Sequence, residues 1–144
     1  MLETSAENHT IREMIYTKTT HDIEISVKPV FLEDQSMPEK NYYVWSYHVK
    51  ILNNRKDPIR LQTRYWQITD ATGVVQEIEG EGVVGEQPVI HGGCMYEYTS
   101  GAPLNTPSGI MVGTYGMLND DDSAFNVEIP AFSLDSPHQS HVLH

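Results

Sequence analysis

Three glycines, Gly80, Gly82 and Gly85, are spaced as G-x-G-x-x-G. Residues of this type and spacing could cradle a pyrophosphate. Without side chains the backbone N–H groups approach the anion closely, and a following helix N-terminus adds its dipole. Here the surroundings differ. Pro88 comes almost at once, then His91-Gly92-Gly93, and no helical periodicity follows. The context of a dinucleotide fingerprint is absent. Two readings stay open. Gly80, Gly82 and Gly85 form a small backbone nest for phosphate, or they supply positive φ and close approach where the chain crosses between sheets. Glu81 and Glu86 flank the loop and repel a bare phosphate. They suit a Mg²⁺–phosphate complex better, because the cation takes oxygen ligands.

A second candidate occupies residues 98–111. Thr99, Ser100, Thr106 and Ser108 place hydroxyls beside Gly101 and Gly109. Such a segment can accept a ligand or peptide, or its hydroxyls can satisfy loop backbone. Asp120-Asp121-Asp122 is three acids in a row. A calcium loop instead spaces its oxygen ligands and ends in a bidentate acid, so the run reads as a solvated turn. His138, His141 and His144 recur every three residues in a tail without an apolar face. A helical metal pair prefers i, i+4, which leaves adventitious Ni²⁺ or Co²⁺ binding. Cys94 and His91 flank Gly92-Gly93 with no orienting acid in view, and Cys94 continues the register of Tyr96 and Tyr98. It is expected to be a buried structural cysteine rather than a nucleophile. No triad, zinc signature or paired-acid arrangement stands out. No catalytic residue, no metal site and no cofactor is expected, with Mg²⁺ or Co²⁺ considered only beside a phosphate at residues 80–85.

The elements that must hold these residues are strands. From His21 onward Ile23, Ile25 and Val27 alternate with polar residues, the period of a half-buried strand. Tyr43, Trp45, Tyr47, Val49 and Ile51 repeat the pattern more strongly. Asn53-Asn54-Arg55-Lys56-Asp57-Pro58 is turn chemistry. In the next strand Ile59 and Leu61 share one phase and Trp66 and Ile68 the other, which predicts a β-bulge at residues 63–65. Asp70-Ala71-Thr72-Gly73 turns into another strand. Cys94, Tyr96 and Tyr98 begin a further one, and residues 100–107 read as a loop rich in Gly, Pro, Ser and Thr. Residues 110–118 are apolar at nearly every position, so that strand is expected to be central and covered on both faces. Phe125, Val127 and Ile129 form the last strand, with Pro130 ending its pairing or placing it at an edge. About seven strands without a long amphipathic helix predict an all-β fold. It is an antiparallel β-sandwich of fibronectin type III or immunoglobulin shape, with Trp45 and Trp66 as core anchors. Residues 1–20 form a flexible N-terminal arm in this reading, with one weak helical turn over Ile11, Met14 and Ile15. Residues 21–135 form the sandwich and residues 136–144 a polar tail.

The chain of 144 residues is sized for one domain with one core. It carries a single cysteine, so no intrachain disulfide forms, which fits a reducing cytoplasm. The formal charge of −11 repels nucleic acids and anionic membranes. No apolar run approaches the ~20 residues of a membrane span, and residues 1–7 lack the basic start and apolar core of a secretory signal.

Five stretches carry a family resemblance. They are Trp66-Gln67-Ile68-Thr69-Asp70, Gly80-Glu81-Gly82-Val83-Val84-Gly85-Glu86-Gln87-Pro88, Tyr98-Thr99-Ser100-Gly101, Thr106-Pro107-Ser108-Gly109-Ile110-Met111 and Ile129-Pro130-Ala131-Phe132-Ser133-Leu134. On these residues the chain, over 21–134, resembles the ApaG family, also described as CorD. The resemblance implies a fibronectin type III-like sandwich, often dimeric, loosely associated with cobalt and magnesium tolerance. Related domains in eukaryotic proteins act as partner-binding modules. One departure is visible: where the family carries Pro-Gly after the Gln-Pro segment, this chain has Gly92-Gly93. The expectation is a non-catalytic, cytoplasmic, homodimeric module that binds a protein partner and bears on metal tolerance only indirectly. The alternative is a sensor for pyrophosphate or a nucleotide at residues 80–85.

Overall fold

The computed structural model describes residues 14–138. Nine strands make two antiparallel sheets. One sheet has the order β1-β2-β3-β7, with β1 at Tyr16–Thr20, β2 at Ile23–Phe31, β3 at Tyr43–Asn53 and β7 at Met95–Leu104. The other runs β5-β4-β8-β9, with β4 at Ile59–Asp70, β5 at Val75–Glu81, β8 at Ser108–Leu118 and β9 at Ala124–Asp135. The short β6, Val89–Ile90, pairs with the start of β4. Two single 3₁₀ turns, Glu33–Gln35 and Pro38–Lys40, link β2 to β3.

Period-two alternation decides which face of each strand is buried. Ile23, Ile25 and Val27 meet Tyr43, Trp45, Tyr47, Val49 and Ile51 on the inner face of the first sheet. Trp66, Ile68, Met111, Tyr115, Val127 and Phe132 answer from the second. Trp66 packs edge-on against both Tyr47 and Phe132, with ring centroids 5.3 and 5.9 Å apart, the arrangement that aromatic quadrupoles favour. Both tryptophans are buried as their register requires. The Asn53 turn also forms. The buried Asn53 side chain donates to the carbonyls of Asp57 and Ile90 and accepts from the Arg55 N–H, each at 2.9 Å. This leaves a fully buried amide satisfied.

Several local expectations change. The phase slip in β4 lies between Leu61 and Thr63, which makes Gln62 the extra residue rather than one at 63–65. Residues 16–20 of the expected arm are β1, joined to β2 by a two-residue turn at His21 and Asp22, with φ of 52° and 64°. Met14 and Ile15 are exposed and carry no helical turn, and Ile11 lies outside the described residues. Strand β8 is central in its sheet, but only one face is covered. Gly109, Met111, Gly113, Tyr115 and Met117 point inward, while Ile110 is 51% exposed. Residues 100–104 are strand, not loop, because they continue the β7 ladder to β3 as far as Leu104 opposite Tyr43. Cys94 is exposed. It sits in the turn before β7, its N–H bonded to the His91 carbonyl, and the register of Tyr96 does not extend back to it.

The two sides of the sandwich differ. On one side β1 and β9 meet: Lys18 pairs with Glu128, the Glu128 N–H reaches Thr20 Oγ1 at 3.3 Å, and Tyr16 packs on Phe132. On the other side β5 and β7 are the free edges of their sheets.

Candidate functional site

The glycine segment lies on this open side, and each glycine has its own geometric reason. Gly80 sits in β5 opposite Arg64, and a Cβ there would lie 2.6 Å from the Arg64 guanidinium. Gly82 has φ of +64°, and a Cβ would lie 2.1 Å from the Glu86 carbonyl oxygen. Val83 and Glu86 exchange backbone hydrogen bonds of 2.8 and 2.9 Å around a two-residue turn of Val84 and Gly85. Both turn residues have positive φ, 42° and 81°, the mark of a type I′ turn. Gly85 fits that conformation freely. Val84 does not, because a β-branched residue is disfavoured there, yet its side chain stands 55% exposed at the tip. The Gly82 N–H donates to the Gln62 carbonyl at 2.9 Å. The N–H groups of Gly82, Val83 and Glu86 are therefore engaged inside the fold.

Arg64 is the residue the sequence did not single out. After the Gln62 bulge it falls in the inward phase of Trp66 and Ile68. Its guanidinium passes beneath Gly80 and donates to the carbonyls of Glu81 and Gly82 at 3.0 and 2.8 Å. Near it lies a cluster of tyrosines from both sheets. The hydroxyls of Tyr98 and Tyr115 share a hydrogen bond, and Tyr47 lies opposite Ser100 in the β3–β7 ladder. Burial raises the pKa of all three phenols above the ordinary tyrosine value, and the positive charge of Arg64 partly opposes this. A cleft of about 540 Å³ opens over Thr63, Arg64, Tyr65, Glu79, Gly80 and Glu81. Tyr96 ties the glycine turn to β7 by donating from its hydroxyl to Glu86 at 3.2 Å.

The second candidate segment is divided rather than gathered. Thr99, Ser100 and Gly101 belong to β7, Ser108 and Gly109 to β8, and Thr106 to the three-residue crossing between the sheets. Thr106 accepts from the Ala71 N–H and donates to the Ser108 carbonyl, pinning the crossing to the β4–β5 turn. Gly109 leaves room for the Thr69 carbonyl, which a Cβ would approach to 2.9 Å. Gly101 lies beside the Trp45 carbonyl. Ser100 faces inward to Tyr47, whereas Thr99 faces outward, its hydroxyl 2.7 Å from His48 Nδ1. His48 Nε2 in turn lies 2.8 Å from Glu97. The order hydroxyl, imidazole, carboxylate resembles a nucleophile with its base and orienting acid. However, it stands on an outer sheet face in mid-strand, where backbone N–H groups lie in the plane of the ladder and none points up to hold an oxyanion. This is a cross-strand polar ladder.

Among the described residues no group of three or more His, Cys, Asp or Glu converges to hold a metal. Asp121 caps its own turn by accepting from the Ser123 N–H and hydroxyl. His138 bonds Glu33 at 3.0 Å, and His141 and His144 lie outside the described residues.

The fold defines the class: an antiparallel β-sandwich domain of fibronectin type III or immunoglobulin shape, without a disulfide. Residues 33–119 match the model of the ApaG domain, and the chain belongs to the ApaG family. It is 60% identical to protein ApaG of Paramagnetospirillum magneticum over 125 residues, 87% of this chain and 96% of that one. It is 55% identical to protein ApaG of Brucella suis over 129 residues, 90% of this chain and 99% of that one. A crystal structure from Bordetella pertussis, described as an ApaA protein, superposes with a TM-score of 0.79 at 41% identity, covering 84% of this chain and 98% of that one.

Proposed function

We propose that this chain is a non-catalytic cytoplasmic binding module whose open side, formed by β5, β7 and the glycine turn, engages a protein partner. The observation that carries this reading is Val84. A β-branched apolar side chain is held at φ of 42° and left 55% exposed, where asparagine or glycine would fit without strain. Strain kept at an exposed apolar tip favours a contact made there, and apolar surface suits a protein rather than a phosphate. The engaged N–H groups of Gly82, Val83 and Glu86 support the same choice. The bearing on cobalt and magnesium tolerance that the resemblance implies is then indirect, through the partner. The test is capture from native lysate by the wild type and by Val84→Asn, which relieves the strain and removes the apolar tip. Recovery of a partner by the wild type and its loss with Val84→Asn supports the reading. Equal recovery by both sinks it.

A second reading is a sensor of pyrophosphate or nucleotide, with Mg²⁺ or Co²⁺, at residues 80–85. One observation favours it: Arg64 brings a cation to the glycine turn. Amide shifts on adding pyrophosphate or ATP with Mg²⁺, abolished by Arg64→Gln, support it. No shift at millimolar ligand leaves any affinity weaker than about −4 kcal/mol and removes it.

A further inference from the structure

The open edge of β5 is oriented, and its orientation follows from the ladder. The Gly82 N–H bonds the Gln62 carbonyl, and the Asp70 N–H bonds the Val74 carbonyl. Both pairs share the register that sets Arg64 opposite Gly80 and Ile68 opposite Gln76. In an antiparallel ladder every second residue bonds across. Gln76, Ile78 and Gly80 therefore bond β4, while Val75, Glu77, Glu79 and Glu81 turn N–H and C=O outward to the free edge. Arg64 already occupies the Glu81 carbonyl and ends the row there. Val75, Glu77 and Glu79 are left with both backbone groups facing outward, and all three side chains are exposed on the outer face.

Edge strands of this length are usually blunted by proline, by charged side chains, by an inward charge or by a bulge, and on β5 only the charged side chains are present, as glutamates. The β5 segment, VQEIEGE, has no proline or lysine, its register with β4 is unbroken, and its inward phase is Gln76, Ile78 and Gly80. The β7 edge, by contrast, carries Pro103. The charge on β5 is of one sign. Among the described residues no lysine or arginine forms an ion pair with Glu77, Glu79 or Glu81, and Glu77 accepts only the Tyr65 hydroxyl, at 2.9 Å. A second copy docking antiparallel about Glu79 would set Glu79 against Glu79 and Glu77 against Glu81, like charges directly opposite, which destabilises a pair. The net charge of −11 works in the same direction.

We infer that β5 receives an extended segment of a basic partner as an added antiparallel strand. Lysine or arginine lies opposite Glu77 and Glu79, and an apolar residue between them covers Ile78, which is 36% exposed. Backbone bonds from Val75, Glu77 and Glu79 fix the register, and the glutamate row selects the partner. This inference rests on the protein-partner reading and names the partner's class.

The probe is an acetylated, amidated nonapeptide alternating lysine and valine, titrated into the full chain and followed by backbone amide shifts. Saturable shifts centred on Val75, Glu77 and Glu79 are expected. Methylating the lysine backbone nitrogens, which face β5 in this register, should weaken binding at least tenfold. Methylating the valine nitrogens, at identical charge, should leave it unchanged. Glu79→Pro removes one outward N–H on a strand edge that tolerates proline and should also cost at least tenfold, with circular dichroism confirming the fold. Equal binding by both methylated peptides would overturn the inference in favour of unspecific charge attraction, and equal binding by Glu79→Pro would overturn it by showing that neither the Glu79 N–H nor its charge is used. A wild-type dimer that Glu79→Pro dissolves would overturn it in favour of a second copy. If the peptides fail while lysate capture still depends on Val84, strand addition falls and the partner reading stands.

Discussion

Replacing Gly80, Gly82 and Gly85 by alanine, one at a time, separates a structural turn from a phosphate nest, because the three sites differ in space and backbone angle. At Gly85 a Cβ meets nothing within 4 Å, so the cost is that of positive φ alone, about 1 kcal/mol. At Gly80 the backbone is ordinary and the obstacle is the end of the Arg64 side chain. Arginine can swing away, giving up its bonds to the Glu81 and Gly82 carbonyls, for about 1 kcal/mol at a partly exposed site. At Gly82 both costs combine: φ is +64°, and the Cβ would lie 2.1 Å from the Glu86 carbonyl, which is backbone and cannot swing. The turn must open and lose the two Val83–Glu86 hydrogen bonds, for about 3 kcal/mol in all. For a domain of this size each kcal/mol lowers Tm by about 3 °C. Gly82→Ala should fall by about 10 °C and the other two by about 3 °C, followed by circular dichroism or tryptophan fluorescence on heating. A Gly82→Ala protein melting with the wild type, or a Gly80→Ala protein melting lowest, would refute the reasoning. A phosphate nest would show itself differently, with Gly80→Ala and Gly85→Ala losing ligand while keeping most of their stability.

Tyr115→Phe strips the buried Tyr98 hydroxyl of its partner and should cost about 1–2 kcal/mol. Adding Tyr98→Phe should then cost less than it does in the wild type, and strict additivity in the double-mutant cycle would contradict the pairing. Thr72 and Ser123 hydroxyls, with backbone N–H groups, hold the carboxyls of Asp70 and Asp121 below the usual aspartate range. A depressed folded pKa contributes stability that is present above the unfolded value of ~3.9 and is lost as pH falls through the folded value. Acid below that range should therefore loosen the β4–β5 and β8–β9 turns first, and chemical shifts of both carboxyls that titrate normally would refute this. Cys94, exposed in its turn, should react with a thiol reagent in the native protein as fully as after denaturation, and protection in the native state would return it to the core.

Alternation made β2 and β3 legible because each has one buried and one wet face. The same rule exposed the phase slip between Leu61 and Trp66, displaced by one residue because Gln62, Thr63 and Arg64 are all polar and alternation alone does not say which of them is the extra one. It failed where composition and position conflict. Ser100, Gly101 and Pro103 look like a loop, yet an edge strand tolerates them because one side of its backbone needs no partner. Ile110 and Val112 imitate a strand covered twice, since an apolar run alone does not say whether a layer lies outside it. Strand β1 was hidden by Lys18, which shares the phase of Tyr16 and reaches across to Glu128, and by a tight turn made of His21 and Asp22 rather than glycine. The glycine spacing located the segment but not its chemistry. Arg64, the cation beneath it, lies 16 residues away in sequence from Gly80, and it enters only through the pairing of β4 with β5 and the bulge that turns it inward.

The orientation of the β5 edge decides whether a partner strand can add there, and amide hydrogen exchange along that strand reads it directly. In the free protein Glu77 and Glu79 should exchange fast and Gln76 and Ile78 slowly, in strict alternation. With the lysine–valine peptide at saturation, Glu77 and Glu79 should become protected while their neighbours stay as they were. Uniform protection along β5 in the free protein, or no added protection of Glu77 and Glu79 with the peptide bound, would contradict an open edge that takes a strand.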